Sequence, residues 1–176
     1  EQELKDDFVL FYGDTIMDID LDSLVQTHLQ KESMATLGGH PNDHPHDSDL
    51  LETDKDNRVL AFYSKPHDQK VYHRNLVNAA LYVLSPEVFQ YIEKDTFHDF
   101  GKDIFPKLVS LNKSLYAYNT AEYIKDIGTI ERLEQVEEDL VSGKVQRLNR
   151  SNKQKAIFID RDGVINFEAE PLNTPD

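Results

Sequence analysis

The chain has 176 residues, 33 acidic against 19 basic side chains, and a formal net charge of -14. That balance excludes nucleic acid as a main partner, since such interfaces rely on Lys and Arg to neutralise phosphates; phosphorylated small molecules remain open if a metal ion offsets the repulsion. With 39% hydrophobic residues and no cysteine, a buried core is affordable to the chain, while disulfides, thiolate metal sites and cysteine nucleophiles are excluded.

Phe8-Val9-Leu10-Phe11-Tyr12, stopped by Gly13-Asp14-Thr15, reads as a fully buried central strand. Residues 20–31 read as a helix capped by Asp20 or Asp22, with Leu21, Leu24, Val25 and Leu29 at 3–4 spacing. A short strand at 34–37 follows, ended by Gly38-Gly39, and then a proline-broken loop from His40 to Asp49. Residues 50–53 and 58–65 flank Asp54-Lys55-Asp56-Asn57 as a hairpin.

Val77 to Leu84 reads as a second buried strand, and Pro86 opens a helix to about Glu93. Residues 99–111 read as a helix that Pro106 can kink, and 114–119 as a short strand. Thr129 caps a helix carrying Ile130, Leu133, Val136 and Leu140 on one face, with Gly143 just past its end and Glu131, Glu134, Glu137 and Glu138 on its wet face. No apolar run approaches the ~18 residues of a membrane span, and no charged-then-apolar leader precedes the first strand. The expectation is a soluble, cytoplasmic α/β protein.

Residues 149–155 are polar, basic and without apolar period, which reads as a linker. Beyond them Ala156-Ile157-Phe158-Ile159 reads as a fresh buried strand ending at Asp160-Arg161-Asp162-Gly163. The expected organisation is therefore a domain over 1–148, a linker over 149–155 and the start of a second domain over 156–176. Both ends look cut, as in a piece of a longer protein.

Ligands of open α/β sheets bind beyond the carboxyl ends of strands. Asp14 stands at such an end, and Asp126 stands in Tyr123-Ile124-Lys125-Asp126-Ile127-Gly128-Thr129 before a helix. Taken singly, each also fits a turn or capping residue. Together they offer two hard oxygen ligands for Mg²⁺, which favours one or two carboxylates completed by substrate phosphates and water.

These motifs, in this order, resemble the sugar-1-phosphate nucleotidyltransferases over roughly residues 5–145. The strand with Gly13-Asp14 resembles that family's metal-aspartate motif, and 123–129 its second metal-aspartate segment. Ser64-Lys65-Pro66 resembles its Glu-Lys-Pro segment, and Val77-Asn78-Ala79-Ala80-Leu81-Tyr82-Val83-Leu84 its Asn-Ala-Gly sugar-binding strand. The resemblance implies an open, mixed, mostly parallel sheet flanked by helices, of the nucleotide-diphospho-sugar transferase type and truncated at both ends. It implies a Mg-dependent reaction of a nucleoside triphosphate with a sugar 1-phosphate. Asp14 and Asp126 would hold the metal, Lys65 the sugar phosphate and Asn78 a sugar hydroxyl. Three departures stand out: the family's glycine-rich N-terminal loop is absent, Ser64 replaces Glu, and Ala80 replaces Gly. The first implies that these residues alone are inactive.

Residues 158–165 resemble the first motif of haloacid-dehalogenase-type phosphatases, in which Asp160 would attack phosphorus and Asp162 serve as general acid and base. A plain Asp-rich turn is the other reading. A transferase followed by such a phosphatase resembles the bifunctional proteins of bacterial nucleotide-heptose synthesis. Two alternatives stand beside the transferase: a phosphatase acting on a sugar bisphosphate through Asp160, and a non-catalytic sensing or assembly module. The strand at 156–159, cut from its own sheet, is expected to be mobile, or to borrow an edge from the transferase sheet or from a second copy, which leaves a homo-oligomer open. His40, His44 and His46, with Asp43, Asp47 and Asp49, could bind metal, but Pro41 and Pro45 favour a solvated loop.

Overall fold

The computed structural model describes residues 4–68, 70–153, 155, 157–160 and 164–165. Its centre is a mixed sheet in the order β5-β4-β6-β3-β7, with β1 also paired to β6. The strands are β1 (Phe8–Phe11), β3 (Ala35–His40), β4 (Leu50–Thr53), β5 (Val59–Tyr63), β6 (Val77–Leu84) and β7 (Leu115–Asn119). A separate ribbon pairs β2 (Thr15–Asp18) with β8 (Tyr123–Asp126). Among the described residues four α-helices flank the strands: α1 (Leu21–Gln30), α2 (Phe105–Ser110), α3 (Ile130–Val141) and α4 (Lys144–Leu148).

The α/β class and the mixed, helix-flanked sheet are as expected, but the strand directions are not mostly parallel. Among the described pairings β3–β7 is parallel, whereas β1–β6, β3–β6, β4–β5, β4–β6 and β2–β8 are antiparallel. The parallel pair is joined by a long crossover, as parallel geometry requires, while β4 and β5 share a tight turn that only antiparallel strands allow. In that turn Asp54 Oδ1 accepts from the Asp56 and Arg58 amides, both at 2.9 Å.

Side chains alternate across the sheet and divide the core. Ala35, Leu37, Tyr82, Leu84, Leu115 and Ala117 face Ile104, Phe105 and Leu108 around α2. Ala79, Leu81, Val83 and Tyr118 face Leu24 of α1 and Ile124 of the ribbon. A third cluster packs Tyr123 of β8 against Val136 of α3 and Val145 of α4. Among the described residues no helix is long and apolar enough to cross a membrane.

Several elements depart from expectation. β1 is not buried on both sides: its burial alternates, with Val9 40% and Phe11 61% exposed on one face, so that only the face of Phe8 and Leu10 packs on the core. β3 runs through Gly38-Gly39 instead of stopping there. A Cβ at Gly38 would sit 3.2 Å from the Leu81 carbonyl oxygen, so that glycine lets β6 approach closely. In α1 the buried positions are Leu24 and His28, while Leu21 and Leu29 are exposed.

Pro86–Tyr91 is a 3-10 turn, with Ser85 Oγ accepting from the Glu87 amide. Phe100–Ile104 forms a wide π-turn ahead of α2, in which the Asp99 carbonyl accepts from both Asp103 and Ile104 amides. Pro106 therefore falls in the first turn of α2, where its missing N–H costs nothing. On α3 only Val136 and Asp139 are buried, and Ile130 is 72% exposed.

The stretch expected to be a linker begins as anchored structure. Asn149 is buried, its Nδ2 donating to Asp18 Oδ1 at 2.6 Å, and the Arg150 amide donates to Glu122 Oε1 at 2.8 Å. The expected buried strand after it is not formed: residues 157–160 make no strand and are exposed, Phe158 at 97%. A strand is stable only with a partner ladder, and no described strand lends its edge here. Residues 154, 156 and 161–163 lie outside the described residues, and Asp162 with them.

Candidate active site

One cleft of about 810 Å³ opens between the carboxyl end of β1, the ribbon, and the loops after β3 and β5. Asp14, Lys65, Asn78 and Asp126 all line it. Asp160 is exposed on the tail and is not among the residues lining the cleft.

Asp14 follows the turn at Gly13, and its exposed carboxylate makes no hydrogen bond or ion pair among the described residues. Pairing of β2 with β8 brings it to Asp126: Thr15 lies opposite Asp126, and the Ile127 amide donates to the Asp14 carbonyl at 2.8 Å. Asp126 is already engaged, its carboxylate bonded to Arg132 Nη1. Arg132 sits in the first turn of α3, where its amide donates to the capping Thr129 Oγ1. Its other nitrogen, Nη2, stands 3.5 Å from His44 Nε2, and His44 Nδ1 stands 2.7 Å from Asp43 Oδ1.

Across the cleft, Asp49 holds the other two expected residues. Its Oδ1 accepts from the Lys65 amide and its carbonyl from the Asn78 amide, both at 2.9 Å. The Lys65 amine reaches the Asp47 carbonyl at 3.3 Å and its carboxylate at 3.9 Å. Ser64, in place of the resemblance's Glu, turns its hydroxyl to the Gly101 carbonyl. Asn78 Nδ2 donates to the Tyr82 hydroxyl at 2.9 Å, the Tyr12 ring stands edge-on to that of Tyr82 at 6.2 Å, and Asn78 Oδ1 is buried without a partner among the described residues. Burial pushes the Tyr82 phenol well above the usual tyrosine range, so it stays a neutral donor and acceptor.

Two buried carboxylates fix the floor. Glu122 accepts from the Asp20 amide, the Arg150 amide and Thr120 Oγ1 at 2.9, 2.8 and 2.8 Å. Asp139 accepts from the Tyr123 hydroxyl and from Lys144 Nζ, each at 3.0 Å. Burial works against its ionisation, but the bonds from Lys144, Tyr123 and Gln135 outweigh it and hold the carboxyl below its usual value. Burial, with the Asp139 bond, pushes the Tyr123 phenol up to about 12.

Arg132, Glu122 and Tyr12 carry no mark of the cleft in their local sequence: Glu122 and Tyr12 meet Asp20 and Ala80 from far along the chain, and Arg132 reaches Asp126 only once α3 is placed beside β8. Among the described residues no group of three or more His, Cys, Asp or Glu side chains could hold a metal, the loop histidines included. A cation held by Asp14 and Asp126 would thus complete its shell with substrate oxygens and water. Two hard oxygen donors of this kind suit Mg²⁺.

The chain belongs to the nucleotidyl transferase family, whose model matches residues 1–143. It is 32% identical over 127 residues to a UTP--glucose-1-phosphate uridylyltransferase of Synechocystis sp., covering 71% of this chain and 32% of that one. It is 33% identical over 154 residues to a glucose-1-phosphate adenylyltransferase of Clostridium novyi, covering 83% and 39%. The chain thus spans 32% and 39% of the length of these two relatives. Among solved structures, HddC from Yersinia pseudotuberculosis aligns with a TM-score of 0.63 at 25% identity, covering 78% of this chain and 56% of that one.

Proposed function

We propose that this chain supplies the metal and sugar-phosphate side of a sugar-1-phosphate nucleotidyl transfer site. An oxygen of the sugar 1-phosphate attacks the α-phosphorus of a nucleoside triphosphate; the new P–O bond forms as the bond to pyrophosphate breaks, and pyrophosphate leaves. Joining two polyanions calls for charge neutralisation and alignment more than for acid–base chemistry. The observation that carries this reading is the convergence of Asp14 and Asp126, from paired strand ends, on a cleft that also takes Lys65 and Asn78. Asp14 and Asp126 would hold a Mg²⁺ ion, which supplies positive charge to the phosphates. Lys65 neutralises the sugar phosphate, and the Asn78 amide faces a sugar hydroxyl.

The order of motifs, transferase and then Asp160 to Gly163, supports a heptose as the sugar and a phosphatase as the following unit. In a chain that includes the triphosphate-binding loop, pyrophosphate release with Mg²⁺ is expected, and Asp126→Ala should lower it by roughly 10²-fold or more. The 176 residues alone should give none. Transfer that survives Asp126→Ala and Asp14→Ala would refute the assignment. Asp160→Asn should abolish phosphatase activity in the same protein and spare transfer.

A further inference from the structure

Each ion-paired cation of the cleft rests on a carboxylate: Lys65 on Asp47, Lys144 on Asp139, Arg132 on Asp126. The third pairing differs in kind, since Asp126 is a proposed metal ligand and cannot serve a guanidinium and a divalent cation equally well. Arg132 also has a second resting point. With Nη2 as donor, His44 Nε2 must be the acceptor, which leaves His44 Nδ1–H to donate to Asp43. The side chain is one-third exposed, and its helix position is fixed by the Thr129 cap on its amide rather than by the guanidinium.

We propose that Arg132 is a phosphate-binding residue that exchanges partners: it guards the Asp126 carboxylate until a divalent cation takes that carboxylate, and then turns its fork to a substrate phosphate. This rests on the reading of Asp14 and Asp126 as metal ligands. A planar guanidinium suits the new partner, since it binds phosphate oxygens in pairs. In a protein of net charge -14, releasing a cation when the anionic substrate arrives supports capture where the lining carboxylates would oppose it. The phosphate could belong to the sugar phosphate or to the triphosphate.

The full chain is titrated with Mn²⁺, read by the EPR signal of the free ion, as wild type, Arg132→Gln and Arg132→Lys. Arg132→Gln should bind Mn²⁺ about three-fold more tightly, because the competing cation is gone. In saturating Mn²⁺, calorimetry with glucose 1-phosphate and with inorganic tripolyphosphate should show one of the two weakened by roughly tenfold, partly restored in Arg132→Lys. The weakened anion identifies the phosphate. Unchanged or weaker Mn²⁺ binding, or both anions bound as in wild type, would overturn the exchange. Asp14→Asn separates the two claims. If it removes Mn²⁺ binding while Arg132→Gln changes nothing, only the role of Arg132 falls. If it leaves Mn²⁺ binding intact, or if no variant binds Mn²⁺, the metal-site reading falls and takes this one with it.

Discussion

Ala80 holds a left-handed backbone, φ 54°, in the middle of β6. It does so because β6 takes four steps from Asn78 to Tyr82 while β3 takes two from Leu37 to Gly39, and the surplus is absorbed in a bulge. The bulge aims the Ala80 carbonyl at the Tyr12 amide, 3.1 Å away, and so steers the strand end that carries Asp14. A left-handed alanine costs ~1–2 kcal/mol, and glycine loses part of that gain to chain entropy. Ala80→Gly, which restores the residue of the resembling motif, should therefore raise stability by about 1 kcal/mol, read as a higher urea midpoint at unchanged slope. His28 gives a pH signature. Burial pushes its pKa down, against an opposing pull from Asp7 at 3.5 Å, and Nδ1 bonds Thr36 Oγ1. The unfolded chain then binds the extra proton, so the stability from neutral His28 is complete above about pH 6.5 and falls as pH drops through the lowered folded pKa. Urea midpoints measured downward from pH 7 should decline, and His28→Gln should flatten that decline.

Local chemistry made some elements readable and hid others. α1 and α3 carry their own start signals, Asp20 accepting from the Ser23 amide and Thr129 from the Arg132 amide. The β4–β5 hairpin carries its turn in Asp54. The β2–β8 ribbon could not be read, since Ile16, Met17 and Tyr123, Ile124 are too few to set a period, and each strand exists through the other. For the same reason Asp14 and Asp126 were legible as strand-end carboxylates, but not Arg132, which reaches one of them only after α3 docks. The segment after α4 misled by composition: Asn149 and Arg150 are polar, yet Asn149 is buried against Asp18 and Arg150 closes a network whose centre is the buried Glu122. That carboxylate ties the start of α1, the end of β7 and the segment at 150 together. Glu122→Ala strands a buried donor on Thr120 and partly buried ones on Asp20 and Arg150, and should cost about 3 kcal/mol. Hydrogen exchange should locate the damage in the Asp20 and Arg150 amides, whereas a uniform loss would mean that the three elements are held by other contacts.

For the whole molecule the balance of charge decides how the cleft answers ions. Many more carboxylates than cations line it, and the chain carries -14 overall. Any salt relieves part of that self-repulsion by screening, and screening does not discriminate among side chains. A site does discriminate, because a ligand that binds only the folded state stabilises it by mass action, about 2.7 kcal/mol at one hundred times Kd. In a chain of this size that is a Tm rise of roughly 5–10 °C. Thermal melts in MgCl₂ should therefore exceed those in NaCl of equal ionic strength, and adding a sugar 1-phosphate should widen the gap, since its phosphate completes the metal's shell. Asp14→Asn should close the gap while leaving the NaCl series unchanged, because one carboxylate among so many hardly alters screening. Equal melts in the two salts would mean that the cleft does not bring the two carboxylates onto one cation, and that the adjacency of Asp14 and Asp126 where β2 pairs with β8 is an accident of strand pairing.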